Sequence, residues 1–108
     1  MISITIFRTA DGEISGVSVQ GHSGTADRGS DIVCAGISSL AQTALLGIGK
    51  HLHRDVDYKV ASGDLWMKLK GEPDELTEAI LETMLLGLTE IAEGNPRAVR
   101  ISESQEVK

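Results

Sequence analysis

The stretch from Gly21 to Leu40 reads GHSGTADRGSDIVCAGISSL. Before it, apolar residues alternate. After Asp31 they recur at spacings of three and four, so the stretch marks a switch from strand to helix. It also carries a histidine directly after a strand, a loop broken by Gly21, Gly24 and Gly29, and the single cysteine, Cys34. Asp31 has the chemistry of a helix N-cap, and the spacing predicts a helix from about Ile32 to about Gly47. Ile37, Leu40, Ala41, Ala44, Leu45 and Ile48 form its core-facing stripe. Ala35, Gly36, Ala41 and Ala44 leave room for a close neighbour, and Gly47 and Gly49 with Lys50 supply a stop.

Working back towards the N-terminus, Ile2, Ile4 and Ile6 share one face of a strand, with Ser3 and Thr5 between them. Asp11-Gly12 is a turn signal, and Val17 and Val19 share a face in a second strand, Ile14 to Gln20. Working forward, Val56, Tyr58 and Val60 alternate, Ser62-Gly63-Asp64 reads as a turn, and Leu65, Met67 and Leu69 alternate again, giving a second hairpin. Pro73, followed by Asp74 and Glu75, reads as the first turn of a helix that reaches about Glu93 and ends at Gly94 and Pro96. Its apolar band, Leu76, Ile80, Leu81, Met84, Leu85, Leu86, Leu88 and Ile91, is wider than one packed face requires. Either the helix lies between the sheet and the first helix, or part of it meets a second copy of the chain. Val99 and Ile101 suggest a short last strand, with a frayed tail after it. The order is β-β-α-β-β-α, with a last β, in one domain over residues 1–108. The class is α+β: two main helices packed on an antiparallel or mixed sheet.

The 108 residues suit one domain with its own core. With 41% hydrophobic and 24% charged residues, an ordinary globule is expected. A single cysteine excludes an internal disulfide framework. Met1 to Ala10 lacks the basic segment and long apolar core of a signal peptide. No uninterrupted apolar run approaches the ~18 residues of a membrane span, so a cytoplasmic location without membrane contact is expected. The net charge of −6 argues against direct nucleic-acid binding. It would steer a basic partner towards the chain, or serve solubility alone. Phe7, Tyr58 and Trp66 are too few and scattered for a base-stacking platform. His51 and His53 have no accompanying CxxC or HExxH pattern, so no metal site is expected.

Three residues after the proposed cap, Cys34 would sit over unpaired backbone N–H groups that stabilise a thiolate. His22 is the natural base for it, and the 12 intervening positions give ample chain to fold back. Backbone N–H groups near Cys34 or the glycine-rich loop would supply an oxyanion hole. Asp31 either only caps the helix or also orients His22. Ser38, one turn after Cys34, either hydrogen-bonds within the site or packs as a small residue. Arg28 and Asp27 read as solvated. Against this chemistry stands the commoner behaviour of a lone cysteine, as a small inert hydrophobe in a binding module. A redox-sensing thiol is a third class.

The combination of Gly21-His22-Ser23-Gly24 with Asp31-Ile32-Val33-Cys34-Ala35, then Ser38 and Leu40, resembles the ribosomal-processing cysteine protease family, Prp, also called YsxB-like. Ile4 to Arg8, Gln42-Thr43-Ala44 and Leu86-Gly87-Leu88 extend the resemblance over nearly the whole chain. It implies an endopeptidase with a His–Cys dyad, here His22 and Cys34, with Asp31 and Ser38 at positions tied to the active site. It implies a substrate, too: the precursor of large-subunit ribosomal protein twenty-seven, cut beside a phenylalanine pair to remove an N-terminal extension. A homodimer, a mobile substrate loop over the site at about Ser23 to Ser30 (with Ser23, Gly24, Thr25 and Gly29), and no metal or organic cofactor are implied as well. Ser23 and Thr25 depart from the alanine and aromatic residue frequent in the family, which bears on substrate fit rather than on the thiol.

Overall fold

The computed structural model describes residues 1–22 and 28–105, the side chains of residues 28–31 excepted. Strands β1 (Ile2–Arg8) and β2 (Ile14–Gln20) form the first hairpin, and β3 (Val56–Ala61) and β4 (Asp64–Leu69) the second. The alternation that predicts them also sets their register. Ile4 lies opposite Val19 and Ile6 opposite Val17, while Val17 and Val19 pair in turn with Met67 and Leu65 on β4. Every residue of that set faces one side and is buried, because a one-residue slip would turn the whole set to solvent. The last strand, β5 (Val99–Gln105), runs parallel to β1 along its full length, longer than Val99 and Ile101 alone suggest. The sheet is therefore mixed, in the order β3-β4-β2-β1-β5.

Two helices cover one face of the sheet, α1 (Arg28–Leu46) and α2 (Glu75–Gly94). Ile37, Ala41, Ala44 and Ile48 from the first and Leu81, Met84 and Leu88 from the second join the strand residues in one core. The helices run antiparallel, with Gly36 beside Ile91, Gly87 beside Leu40 and Gly47 beside Ile80. A Cβ on Gly87 would lie 2.9 Å from Leu40 Cδ1, so the absent side chain is what lets the axes approach. The wide band on α2 serves two contacts: Leu81, Met84 and Leu88 join the core while Ile80 and Ile91 meet Gly47 and Gly36, so α2 lies beside α1 rather than between it and the sheet, and Leu76 and Leu86 are exposed. The segment Ile32–His51, at a mean hydropathy of 1.7, is long and apolar enough to cross a membrane by length and composition. Its apolar stripe is spent on this core.

Three boundaries differ from the sequence expectation. Helix α1 begins at Arg28, so Gly29 and Asp31 lie inside it and Asp31 is not its N-cap. Gly47 does not stop it. The chain instead widens into a π-helical turn, Gly47–His51, in which Leu52 N–H donates to Gly47 O at 2.9 Å. Two glycines separated by a buried Ile48 let the coil loosen while that side chain stays in the core. At α2 the cap is Asp74, and Pro73 precedes the helix. Asp74 Oδ1 accepts from the N–H groups of Leu76 and Thr77, and Thr77 Oγ1 accepts from Asp74 N–H at 2.9 Å. This capping box satisfies donors that the first turn leaves open. The Arg54 guanidinium, and after it the hydrogen bond from Thr77 N–H, hold the Asp74 carboxyl below the usual carboxylate range.

Candidate active site

The site forms where β2 ends. Gly21 follows the strand at φ +89°, and its N–H donates to Gly63 O at 2.9 Å. A Cβ there would lie 2.5 Å from Met1 O, so only glycine lets the chain leave the sheet between Met1 and the β3–β4 turn. The next residue, His22, is thereby set against that turn. A Cβ on Gly63 would meet His22 Nε2 at 2.6 Å and Cε1 at 3.0 Å. Gly63 itself sits at φ +73°, which a tight two-residue turn between β3 and β4 demands. Turn geometry and the seat of the imidazole thus rest on the same missing side chain.

Across from His22, α1 presents Cys34, Ala35 and Ser38. Together with Ser62, Gly63 and Asp64 from the turn, they enclose a cleft of about 240 Å³ whose apolar floor is Ile2, Val19, Ile37 and Leu65. Cys34 is half-buried and His22 exposed, so the cleft is reachable from solvent at its histidine side. Ser38 Oγ accepts a hydrogen bond from Gln42 Nε2 at 2.6 Å, one turn further along α1. That bond lies along the helix, to a residue that does not line the cleft, and Ser38 itself lines it. At the far wall, Asp64 accepts from Lys59 Nζ and Gln20 Nε2, each at 2.7 Å. The Lys59 contact first, then Gln20, holds its carboxyl below the ordinary value.

The early start of α1 changes one argument. Cys34 stands in the second turn, not beside the first, and the unpaired N–H groups of a helix belong to its first four residues. The field of a helix end falls off within that first turn, so the helix gives less help to a thiolate than a cap at Asp31 would. Ser23, Gly24 and Thr25 lie outside the described residues, as does the Asp31 side chain. Gly29 falls in helix rather than loop. Sequence reasoning missed the hairpin tip Ala61–Asp64 as a wall of the site. The signal was present as Ser62-Gly63-Asp64, but only the β2–β4 pairing carries that turn to His22. Among the described residues no group of three or more His, Cys, Asp or Glu is placed to hold a metal ion. Phe7 and Trp66 are less scattered than the sequence suggests: both line a groove on the uncovered face of the sheet.

The sequence and fold recur in known proteins. The ribosomal processing cysteine protease Prp of Staphylococcus aureus is 28% identical over 105 residues, covering 94% of this chain and 98% of that protein. A crystal structure of an essential ribosomal processing protease Prp from S. aureus, in complex with a covalently linked product peptide, superposes with a TM-score of 0.86 at 25% identity, covering 96% of this chain and 100% of that one. SMU.848 from Streptococcus mutans superposes with a TM-score of 0.84 at 28% identity, covering 98% and 96%. Residues 1–100 match the sequence profile of the family described as Cysteine protease Prp. The match over residues 1–100 of 108 makes this chain a member of the Prp family of cysteine proteases.

Proposed function

We propose that the chain is an endopeptidase that trims the N-terminal extension from the precursor of large-subunit ribosomal protein twenty-seven. Cys34 is its nucleophile and His22 its general base. The observation that carries this reading is that His22 and Cys34, 12 positions apart, line one cleft. His22 takes the thiol proton, and Cys34 Sγ bonds to the scissile carbonyl carbon. The C–N bond breaks as His22 returns the proton to the leaving amine. Water then attacks the thioester, giving the carboxylate product and restoring the thiol. Unpaired backbone N–H groups at the start of α1 serve the oxyanion. Ser38, held by Gln42, and Asp31 support the pair. The covalently linked product peptide on the S. aureus relative fits a route through an acyl-enzyme. The net charge of −6 suits a basic precursor. The protein acts in the cytoplasm as a homodimer, with Leu86, 70% exposed on the outer side of α2, available for contact between copies, and the chemistry calls for no cofactor.

The test is to incubate the purified protein with the full-length precursor and read the masses of the products. Loss of the extension by the wild type, and none with Cys34→Ala or His22→Ala, is the expected result. Cleavage that survives both substitutions refutes the dyad. No cleavage by the wild type, with a Cys34 thiol that resists alkylation at neutral pH, returns the chain to a binding module with a packed cysteine.

A further inference from the structure

The edge strand β3 has an apolar strip that the helices leave uncovered. Val56, Tyr58 and Val60 pair with Leu69, Met67 and Leu65 of β4 and so point to the helix side of the sheet. Their partners are buried, yet Tyr58 is 59% exposed and Val60 47% exposed. The strip borders the cleft, since Ala61, the last residue of β3 and next in the chain after Val60, lines it together with Ser62 and Cys34. It ends where the π-helical turn Gly47–His51 meets the strand: a Cβ on Gly49 would lie 3.9 Å from Val56 Cγ1. The charges of β3 lie on the other side of the sheet, where Lys59 pairs with Asp64 and Asp57 with Lys70. Finally, β3 pairs only with β4, so among the described residues its outer row of backbone N–H and C=O groups has no strand partner.

An unpaired edge accepts an extended chain by backbone hydrogen bonds, and alternate side chains of the added strand fall on one side. At ~3.4 Å per residue, the distance from Ala61 back to Tyr58 spans about three to four residues of an added strand. We propose that this edge is the track on which the substrate lies. An extended peptide segment next to the scissile bond pairs with β3 and sets large apolar side chains on Tyr58 and Val60. The proposal rests on the peptidase reading above and adds residues that determine specificity. They touch substrate but take no part in the bond-breaking step.

Two readouts separate failure of the track from failure of the peptidase reading. A fluorescein-labelled peptide spanning the cleavage site of the precursor is titrated by anisotropy against Cys34→Ala protein, with and without Tyr58→Ser or Val60→Lys. Both residues are exposed enough for these changes to leave the fold intact, and circular dichroism of each variant checks this. Binding weaker by about 10-fold or more is expected, the scale of a large apolar contact in a recognition pocket. In the otherwise wild-type protein, the same changes raise KM by a similar factor and leave kcat and the alkylation rate of Cys34 within twofold. A peptide N-methylated at alternate positions should also bind more weakly, because it cannot pair with the edge. Unchanged binding and cleavage in both variants overturns the track while the peptidase stands. Loss of a dimer with unchanged kcat/KM overturns it too, by assigning the strip to a second copy of the chain. A peptide that neither binds nor is cut overturns both.

Discussion

Gly63→Ala is the most informative single change, because the structure assigns it two separable costs. The new methyl lies 2.6 Å from His22 Nε2, against at least 3.4 Å for an ordinary contact, so the ring must retreat by about 1 Å. A misplacement of that size in a reacting group costs on the order of 100-fold in rate. The second cost is backbone strain, since alanine at φ +73° loses about 1–2 kcal/mol of stability. For a domain of this size that corresponds to a fall in Tm of about 4–9 °C. Gly12 supplies the control. It sits at φ +86°, with nothing within 4 Å of the Cβ it would gain. Gly12→Ala therefore pays the strain without touching His22. Thermal melts and kcat/KM on the precursor peptide, measured well below either Tm, decide the matter. Both variants should melt lower by similar amounts, and only Gly63→Ala should lose about 100-fold in kcat/KM. Equal activity in the two would show that the turn does not seat the imidazole.

Other consequences are as direct. Gln42→Leu removes the donor to Ser38 and should lower kcat/KM with Tm unchanged; partial recovery in Gln42→Asn, which keeps an amide donor, identifies Gln42 as a positioning residue. Ile48→Ala empties a fully buried site in the π-helical turn and should cost about 2–5 kcal/mol in urea denaturation. Gly87→Ile drives a branched side chain into Leu40, whose Cδ1 already stands 2.9 Å from an ideal Cβ, and should cost about 1–3 kcal/mol by overpacking. Glu78 accepts from Ile14 N–H at 2.6 Å, yet burial, followed by repulsion from Glu82 and Glu13, raises its carboxyl above the ordinary 4.5. A raised carboxyl binds its proton more tightly in the folded state. The stability it contributes is full below that ordinary value and is lost as pH rises through the folded one. Wild type minus Glu78→Gln, in urea midpoints from pH 4 to 7, should therefore fall with rising pH. A rising difference would reverse the sign of the argument.

Much of this molecule is legible without coordinates, and the reason is local. Period-two alternation in Ile2–Phe7 and Val56–Leu69 and period-3.6 spacing in both helices are properties of neighbouring residues, so the sheet strands, the two helices and their order can be read directly. The histidine and cysteine were legible as residue types suited to one reaction. Boundaries were less so. The Asp31 cap and the Gly47 stop were chosen by local preference, whereas burial of Ile37 to Ile48 in a shared core outweighs a preference worth about 1 kcal/mol. What the chain alone left open was every relation between distant segments: β5 alongside β1, β4 alongside β2, and the hairpin tip at His22. Those pairings are fixed by which apolar faces can be buried together, a property of the assembled layers rather than of any window of sequence. The cleft exists because that burial brings Gly63 under the imidazole and Cys34 across from it.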